Sequence, residues 1–368
     1  MHILMTTDTV GGVWTYTREL VSGLVRRGHK ITLISFGKIP SQAQAAWMHG
    51  LGDVEYRATG FRLEWMQDAE RDIEESKAYL ENVINEVKPD LLHFNQFAYG
   101  ALKVDIPRVV VAHSDVVSWW VGVHREEPPE SPWLAWYRDI VSGGLSGATA
   151  VVAPSECMLN AVQKYYLQPA LSRRIHNGRS PYRFDPQASK DGYILAVGRV
   201  WDQAKQIHLL TEREHPFQVW IVGSQTHPDQ LVKGHAGNAK GRPNVKFYGE
   251  QSENRLRVLY AHAAAYAATS CYEPFGLAPL EAALSRCAVV ANDIPTFHEL
   301  WGDSAYYFRQ NDADSLAAAI RELNRNPHLR IEYQERAYLR ARQQFTADQM
   351  VDTYARLYSR VAIAEAAA

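Results

Sequence analysis

Short apolar runs that stop at a glycine or a polar residue alternate with helical patterns along nearly the whole chain, and few folds admit that alternation. Ile3 to Thr6 is followed by the loop TDTVGGV and the helical stretch VWTYTRELVSGLVRRG, closed by Gly28. HKITLISFG ends at Gly37, a long amphipathic pattern runs from about Met66 to Val87, and DLLHFNQ and RVVVAHSD then read as strands. Repetition of this kind builds mostly parallel sheets covered by helices. At 368 residues the chain exceeds one ordinary core, so two domains are expected. The pattern weakens at RRIHNGRSPYRFDP, with Gly178, Pro181 and Pro186, and restarts with YILAVGR, FQVWIVGS and NVKFYG. The sequence therefore predicts an α/β protein with domains at 1–175 and 176–346 and a final helix over about 347–363, whose Met350, Tyr354, Leu357 and Val361 form one apolar stripe.

Composition narrows the partners. With 22% charged residues and a formal charge of -2, nothing supports a nucleic-acid partner or a polybasic membrane anchor. Cys157, Cys271 and Cys287 are odd in number and show no CxxC spacing, which suits reduced thiols better than a disulfide framework or a zinc site. No segment approaches the eighteen or so apolar residues of a membrane span, and the opening HILMTTD has no leader-like region. A cytoplasmic protein is expected, and peripheral contact with the inner face of a membrane stays compatible with this composition.

Ligands of open parallel sheets bind outside the carboxyl ends of the strands. Gly11 and Gly12 follow the first strand, His113 ends another, and Arg199 and Gly223 end the first two strands of the second half. Two such edges facing one another would make an interdomain cleft. The densest stretch is EPFGLAPLE, Glu273 to Glu281. After Gly276 the residues Leu277, Leu280 and Leu284 recur at helical spacing, and Pro279 suits a first turn. A helix start there offers free backbone N–H groups to a phosphate. Taken alone, Glu273 and Glu281 also suit ordinary helix-start carboxylates favoured by the dipole.

In VGRVWDQAK, Arg199 and Lys205 could both reach one pyrophosphate, Arg as a planar fork and Lys as a point charge. The triplet Asp312, Ala313, Asp314 spells the DxD that holds a metal in some sugar transferases, but its NDADSL context reads as a helix cap, so no metal site is assigned. The GxGxxG of dinucleotide enzymes is absent. Between Ser118 and Tyr137 lie four of the ten tryptophans, and Trp119, Trp120 and His124 are acceptor-side candidates there, because aromatic faces with polar edges suit sugars.

As an ordered set, these residues resemble the retaining glycosyltransferases of family 4, with the two-domain GT-B fold. EPFGLAPLEAA is similar to the family's E-x7-E signature, VGRVWDQAK to its Arg and Lys pair, HNGRSPYRFDP to its interdomain NG segment, and Glu299 to a recurring glutamate. The resemblance implies transfer of a hexosyl unit from a nucleoside-diphosphate sugar, UDP- or GDP-linked, to a hydroxyl on a sugar or glycolipid acceptor, without metal or other cofactor. It implies that Glu281 holds the donor ribose, Glu273 and His113 lie by the transferred sugar, and Phe275, Gly276 and Leu277 offer backbone contacts. Arg199 and Lys205 would neutralise the leaving diphosphate, Gly11 and Gly12 would approach it, Gly223 would line the donor site, and the final helix would pack back on the first domain. Two departures stand out: the family's KG is Lys205-Gln206, and the small-Gly and Pro positions after the signature helix are Arg286 and Ala288. Epimerases and inverting transferases share the fold, and a non-catalytic nucleotide-sugar binding subunit is the alternative from another class.

Overall fold

A computed structural model describes residues 1–225 and 243–366. The chain divides into two compact units: Met1–Val121, Glu126–Gly178 and the segment from Ala347 form the first, and Gly122–Arg125 with Arg179–Thr346 form the second.

The first unit is built on seven strands, β1 (His2–Asp8), β2 (Lys30–Phe36), β3 (Val54–Ala58), β4 (Leu91–Phe94), β5 (Arg108–Val111), β6 (Ala150–Ala153) and β7 (Ser172–Arg174). They pair in parallel in the order β3-β2-β1-β4-β5-β6-β7. Both faces of the sheet are covered, which is why its strands read as continuous apolar runs. Leu4 of β1 packs into one cluster with Leu80 and Phe94, while Ile3 and Met5 face the opposite one with Leu20 and Leu24. The covering helices are α1 (Gly12–Val25), α2 (Gln42–Ala45), α3 (Glu70–Val87), α4 (Val116–His124), α5 (Pro132–Gly147) and α6 (Glu156–Tyr165). The pattern that suggested a helix from Met66 becomes regular only at Glu70, and α3 ends at a left-handed Lys88 just before Pro89. Helix α5 starts where Ser131 accepts a hydrogen bond from Leu134 N and Pro132 occupies the first turn. It lies against the 3-10 turn Phe97–Ala101 with no room for a side chain: a Cβ on Gly144 would sit 1.7 Å from the Phe97 carbonyl oxygen.

The second unit has six parallel strands, β8 (Asp191–Val197), β9 (Gln218–Val222), β10 (Val245–Phe247), β11 (Ala263–Ala268), β12 (Ala288–Asn292) and β13 (Tyr306–Phe308), in the order β10-β9-β8-β11-β12-β13. Its helices are α7 (Leu209–Glu212), α8 (Glu253–His262), α9 (Leu277–Leu284), α10 (Pro295–Trp301), α11 (Ala313–Arg325) and α12 (Pro327–Gln344). Asp312 caps α11 by accepting from Ser315 N at 2.8 Å, so the DxD triplet serves a helix start. The last helix, α13 (Ala347–Ala366), returns to the first unit, where Met350, Tyr354, Leu357 and Val361 lie buried beside residues of α1. Gly23 permits this packing, since a Cβ there would meet Val351 at 2.4 Å.

Each sheet therefore grows outward in both directions from its first strand. The reversal falls between β1 and β4 in one unit and between β8 and β11 in the other. Loops leaving the two central strands diverge at such a point and open a crevice at the carboxyl edge. No helix among the described residues is long and apolar enough to cross a membrane.

Candidate active site

In the second unit the predicted donor residues gather where β8 and β11 end. Gly276 precedes α9 with φ +90, a conformation that side chains disfavour, and a Cβ there would lie 2.9 Å from Pro279 Cγ and 3.2 Å from Glu273 Cγ. Phe275 is buried just ahead of it, and Leu277 opens the helix. Lys205 Nζ reaches Glu273 Oε2 at 2.5 Å, and Ser270 Oγ donates to the same oxygen at 3.1 Å. Two further bonds tie the loops together: Cys271 N donates to Ala204 O at 2.9 Å and Thr269 Oγ1 to Lys205 O at 2.6 Å. The cation and the carboxylate thus belong to one braced structure spanning the switch point of the sheet.

Arg199 Nη2 lies 2.6 Å from Asp202 Oδ2, and Asp202 Oδ1 accepts from Ala204 N at 3.0 Å. Asp202 is buried whereas the Arg199 side chain is 41% exposed, so the acid anchors a guanidinium that still meets solvent. Gly223 has φ +142, and a Cβ would stand 1.9 Å from the Gly198 carbonyl oxygen. Close packing of the β8 and β9 ends requires this glycine, whatever ligand it meets.

The two signature glutamates take different partners. Glu281 is held by Arg179, whose Nε lies 2.9 Å from Oε1. Arg179 is 1% exposed, stacks 5.5 Å from the Phe184 ring centroid, and also lies 3.3 Å from Glu253 Oε1. Sequence reasoning passed over Arg179, Asp202 and Asn292. The signal for Arg179 was a cation directly after the NG segment. Asn292, fully buried, donates from Nδ2 to Ser270 O at 3.1 Å and accepts from Asn311 N at 3.0 Å, fastening the β11 loop to the end of β12. Its Nδ2 also lies 3.4 Å from Gln206 Oε1.

Both departures from the family pattern keep the backbone that glycine would adopt. Gln206 has φ 44 and Arg286 has φ 55. Arg286 lies 3.2 Å from Glu335 and 4.5 Å over the Tyr338 ring, contacts that offset part of the strain of a left-handed side chain.

In the first unit Gly11 adopts φ 75 ahead of α1, whose first residue is Gly12. His113 follows β5 and is half-buried, with Nε2 2.7 Å from Asn95 Oδ1 and its ring edge-on to Tyr16 at 4.6 Å. Burial, with His93 nearby, pushes the His113 imidazole down to about 3, so it is neutral at physiological pH. Trp119, Trp120 and His124 all lie on α4 and are half-buried. Asp115 starts that helix by accepting from Ser118 N at 2.8 Å and from the Tyr166 hydroxyl at 2.8 Å. Among the described residues no group of His, Cys, Asp and Glu side chains could hold a metal ion.

A model of glycosyltransferase family 4 matches residues 10–183, and one of glycosyl transferases group 1 matches residues 182–343. The chain belongs to the family 4 glycosyltransferases. This glycosyltransferase is 31% identical over 157 residues to the O-antigen chain mannosyltransferase RfbU of Salmonella typhimurium, a match covering 42% of the chain and 44% of RfbU. Among solved structures, sucrose-phosphate synthase from Thermosynechococcus elongatus superposes with a TM-score of 0.80 over 99% of this chain and all of its own, at 17% identity. HepE of Anabaena, in complex with UDP and glucose, gives 0.74 over 98% of this chain and 100% of HepE, at 16% identity. At such identities these likenesses establish the GT-B fold of the glycosyltransferase and nothing finer.

Proposed function

We propose that this glycosyltransferase moves a hexosyl unit from a UDP- or GDP-linked sugar to a hydroxyl of a glycan or glycolipid, with retention at the anomeric carbon. The observation that carries the reading is the braced set Lys205, Glu273, Arg199 and the α9 start at the switch point of the second sheet. Breaking the bond between sugar and diphosphate develops negative charge on the leaving phosphate. Lys205, Arg199 and the free amides of α9 would stabilise it, a role that elsewhere falls to a bound cation. Glu273 would lie by the sugar as positive character builds at its anomeric carbon, and Glu281, oriented by Arg179, would take the ribose hydroxyls. The family resemblance assigns Gly12 and His113 of the first unit to the diphosphate and the donor sugar. Retention follows if the acceptor attacks from the face the diphosphate leaves, its proton passing to a phosphate oxygen. The UDP and glucose named in the HepE complex and the mannosyltransferase name of RfbU are in keeping with a nucleotide-sugar donor that carries a hexose.

The test begins with thermal shifts in UDP, GDP and ADP, followed by transfer assays with matching donors, with and without EDTA, and NMR of the anomeric product. The reading expects one nucleotide to stabilise the chain, turnover that survives EDTA, and product with the donor's anomeric configuration. Stabilisation without turnover across an acceptor panel would make the protein a binding subunit. An inverted product would overturn the retaining step.

A further inference from the structure

The strongest unassigned constellation surrounds Asn95, directly after β4 in the first unit. Its backbone N–H donates to Thr6 Oγ1 at 3.1 Å and its Nδ2 to the Thr6 carbonyl oxygen at 2.6 Å. A carbonyl oxygen only accepts, so Nδ2 must face Thr6, and Oδ1 must face the other way. On that side stand two imidazoles: His113 Nε2 at 2.7 Å and His93 Nε2 at 3.3 Å. The orientation of the amide therefore decides the protonation of His113, whereas His93 Nε2 also has the Tyr16 hydroxyl at 3.4 Å. An amide oxygen has two lone pairs and no proton, so the His113 nitrogen bonded to it at 2.7 Å must carry one.

The His93 ring is compatible with the same arrangement. Its Nδ1 lies 2.7 Å from the Tyr358 hydroxyl, and if Nε2 carries the proton then Nδ1 is the acceptor and Tyr358 donates. The chain of donors runs without conflict from Tyr358 of α13, through His93 and Asn95, to the Thr6 carbonyl. His93, Tyr358 and Thr6 are fully buried, so a mismatched proton in this network would leave a polar atom unsatisfied away from water.

We infer that Asn95 is a positioning residue that locks His113 in its Nε2–H form and leaves Nδ1 as a hydrogen-bond acceptor for a hydroxyl of the bound sugar. Nδ1 of His113 makes no hydrogen bond among the described residues and is not among the sealed polar atoms. A ring so held accepts a hydroxyl proton and offers no N–H to ligand oxygen. It selects for a sugar carrying a hydroxyl at that place and against one carrying hydrogen or fluorine there. This inference rests on the proposed donor reading for its ligand, but the state of His113 can be read without any ligand.

Long-range proton–nitrogen NMR spectra of the full chain, labelled with 15N-histidine and assigned with His113→Asn, provide the test. The expected pattern for His113 is a protonated Nε2 and a bare Nδ1 across pH 6 to 8. A protonated Nδ1 would overturn the inference even in a fully active enzyme. In Asn95→Leu the pattern should become a mixture of both forms, with transfer kcat down at least tenfold and nucleotide-dependent stabilisation unchanged. An unchanged His113 pattern in that folded variant would also overturn it. Should the variant fail to fold, the wild-type spectrum decides alone. If the spectrum is as expected and no nucleotide binds, it is the donor reading that fails.

Discussion

Lys205 and Glu273 hold each other at 2.5 Å, one from the short turn after β8 and the other from the loop after β11. Their side chains are 21% and 13% exposed. A diphosphate reaching Lys205 must compete with, or share, a carboxylate already in place, so the charge offered to the leaving group depends on both residues. Residues acting through one shared contact are not additive. Lys205→Ala and Glu273→Gln are each expected to lower kcat/KM by roughly 100- to 1,000-fold, the scale of a removed transition-state donor. The double variant should lose far less than the product of the two. Steady-state kinetics on the four proteins check this, and full additivity would show that the pair acts as two separate groups.

Arg179 is the buried partner that the second signature glutamate depends on. Removing one member of a buried ion pair strands the other, at about 3–5 kcal/mol. Arg179→Met is expected to destabilise the chain on that scale, because Glu281 loses its buried cation, while Glu253 retains Arg183 at 3.5 Å. Adding Glu281→Gln should return part of the loss, since a neutral amide tolerates the site better than a carboxylate. Urea denaturation of the three proteins measures it. A double variant less stable than Arg179→Met would place the energy of the contact elsewhere.

The contrast between these two glutamates marks how far sequence reasoning carries. The alternation of strands and helices, the break near Gly178 and the helix start after Gly276 were legible because apolar periodicity and glycine conformation are local signals. Strand β11, AAAYAA, was not legible. Alanine has weak strand preference, and this run is extended only because both faces of a central strand are buried. Nor did spacing reveal that Glu281 is bound by a residue 102 positions earlier in the chain, or that Asn95 and Tyr358 meet around His93. Such partners are chosen by topology, which brings the ends of non-adjacent strands to one edge. In the Trp-rich stretch the two aromatic pairs fall on α4 and α5, with Pro128 and Pro129 in the connection between them.

Two histidines and one carboxyl of the first unit contribute a pH dependence whose direction can be worked out. His93 and His113 are each pushed down to about 3 by burial, from 6.5, so the unfolded chain binds more protons than the folded one between those values. Their contribution is present above pH 6.5 and is lost as pH falls toward 3. Burial raises Glu64 from 4.5 to about 7, against the pull of the Ala98 and Phe97 amides, so the folded chain binds the extra proton there and stability falls as pH rises through that window. Each proton is worth about 1.4 kcal/mol per pH unit. Between 4.5 and 6.5 the two histidines outweigh Glu64, and above 6.5 Glu64 alone of the three acts. Stability is expected to peak near pH 6.5. Glu64→Gln should abolish the decline from 6.5 to 7, in denaturant titrations at fixed salt, and a decline that persists would exclude Glu64 as its source.

Two adjacent glycines of α5 separate propensity from packing. Gly143 is exposed, and a Cβ there would come no nearer than 3.9 Å to Ala101, ordinary contact. Replacing it with alanine removes a flexible residue from a helix interior, and Gly143→Ala should stabilise the chain by about 0.5–1 kcal/mol. Gly144, one residue on, faces backbone: its Cβ would lie 1.7 Å from the Phe97 oxygen and 2.6 Å from the Phe97 carbonyl carbon. Backbone cannot swing aside as a side-chain tip does, so α5 would have to leave the turn Phe97–Ala101. Gly144→Ala is expected to cost more than about 3 kcal/mol, beyond the usual range for a single added methyl group, because the obstacle is a fixed peptide. That turn directly follows Asn95 and Gln96, so the displaced chain should also carry Asn95 away from His113. Transfer activity in any folded Gly144→Ala protein should then fall while that of Gly143→Ala stays at the wild-type level. Equal stability of the two variants in thermal and denaturant unfolding would mean that α5 does not pack so closely on this turn.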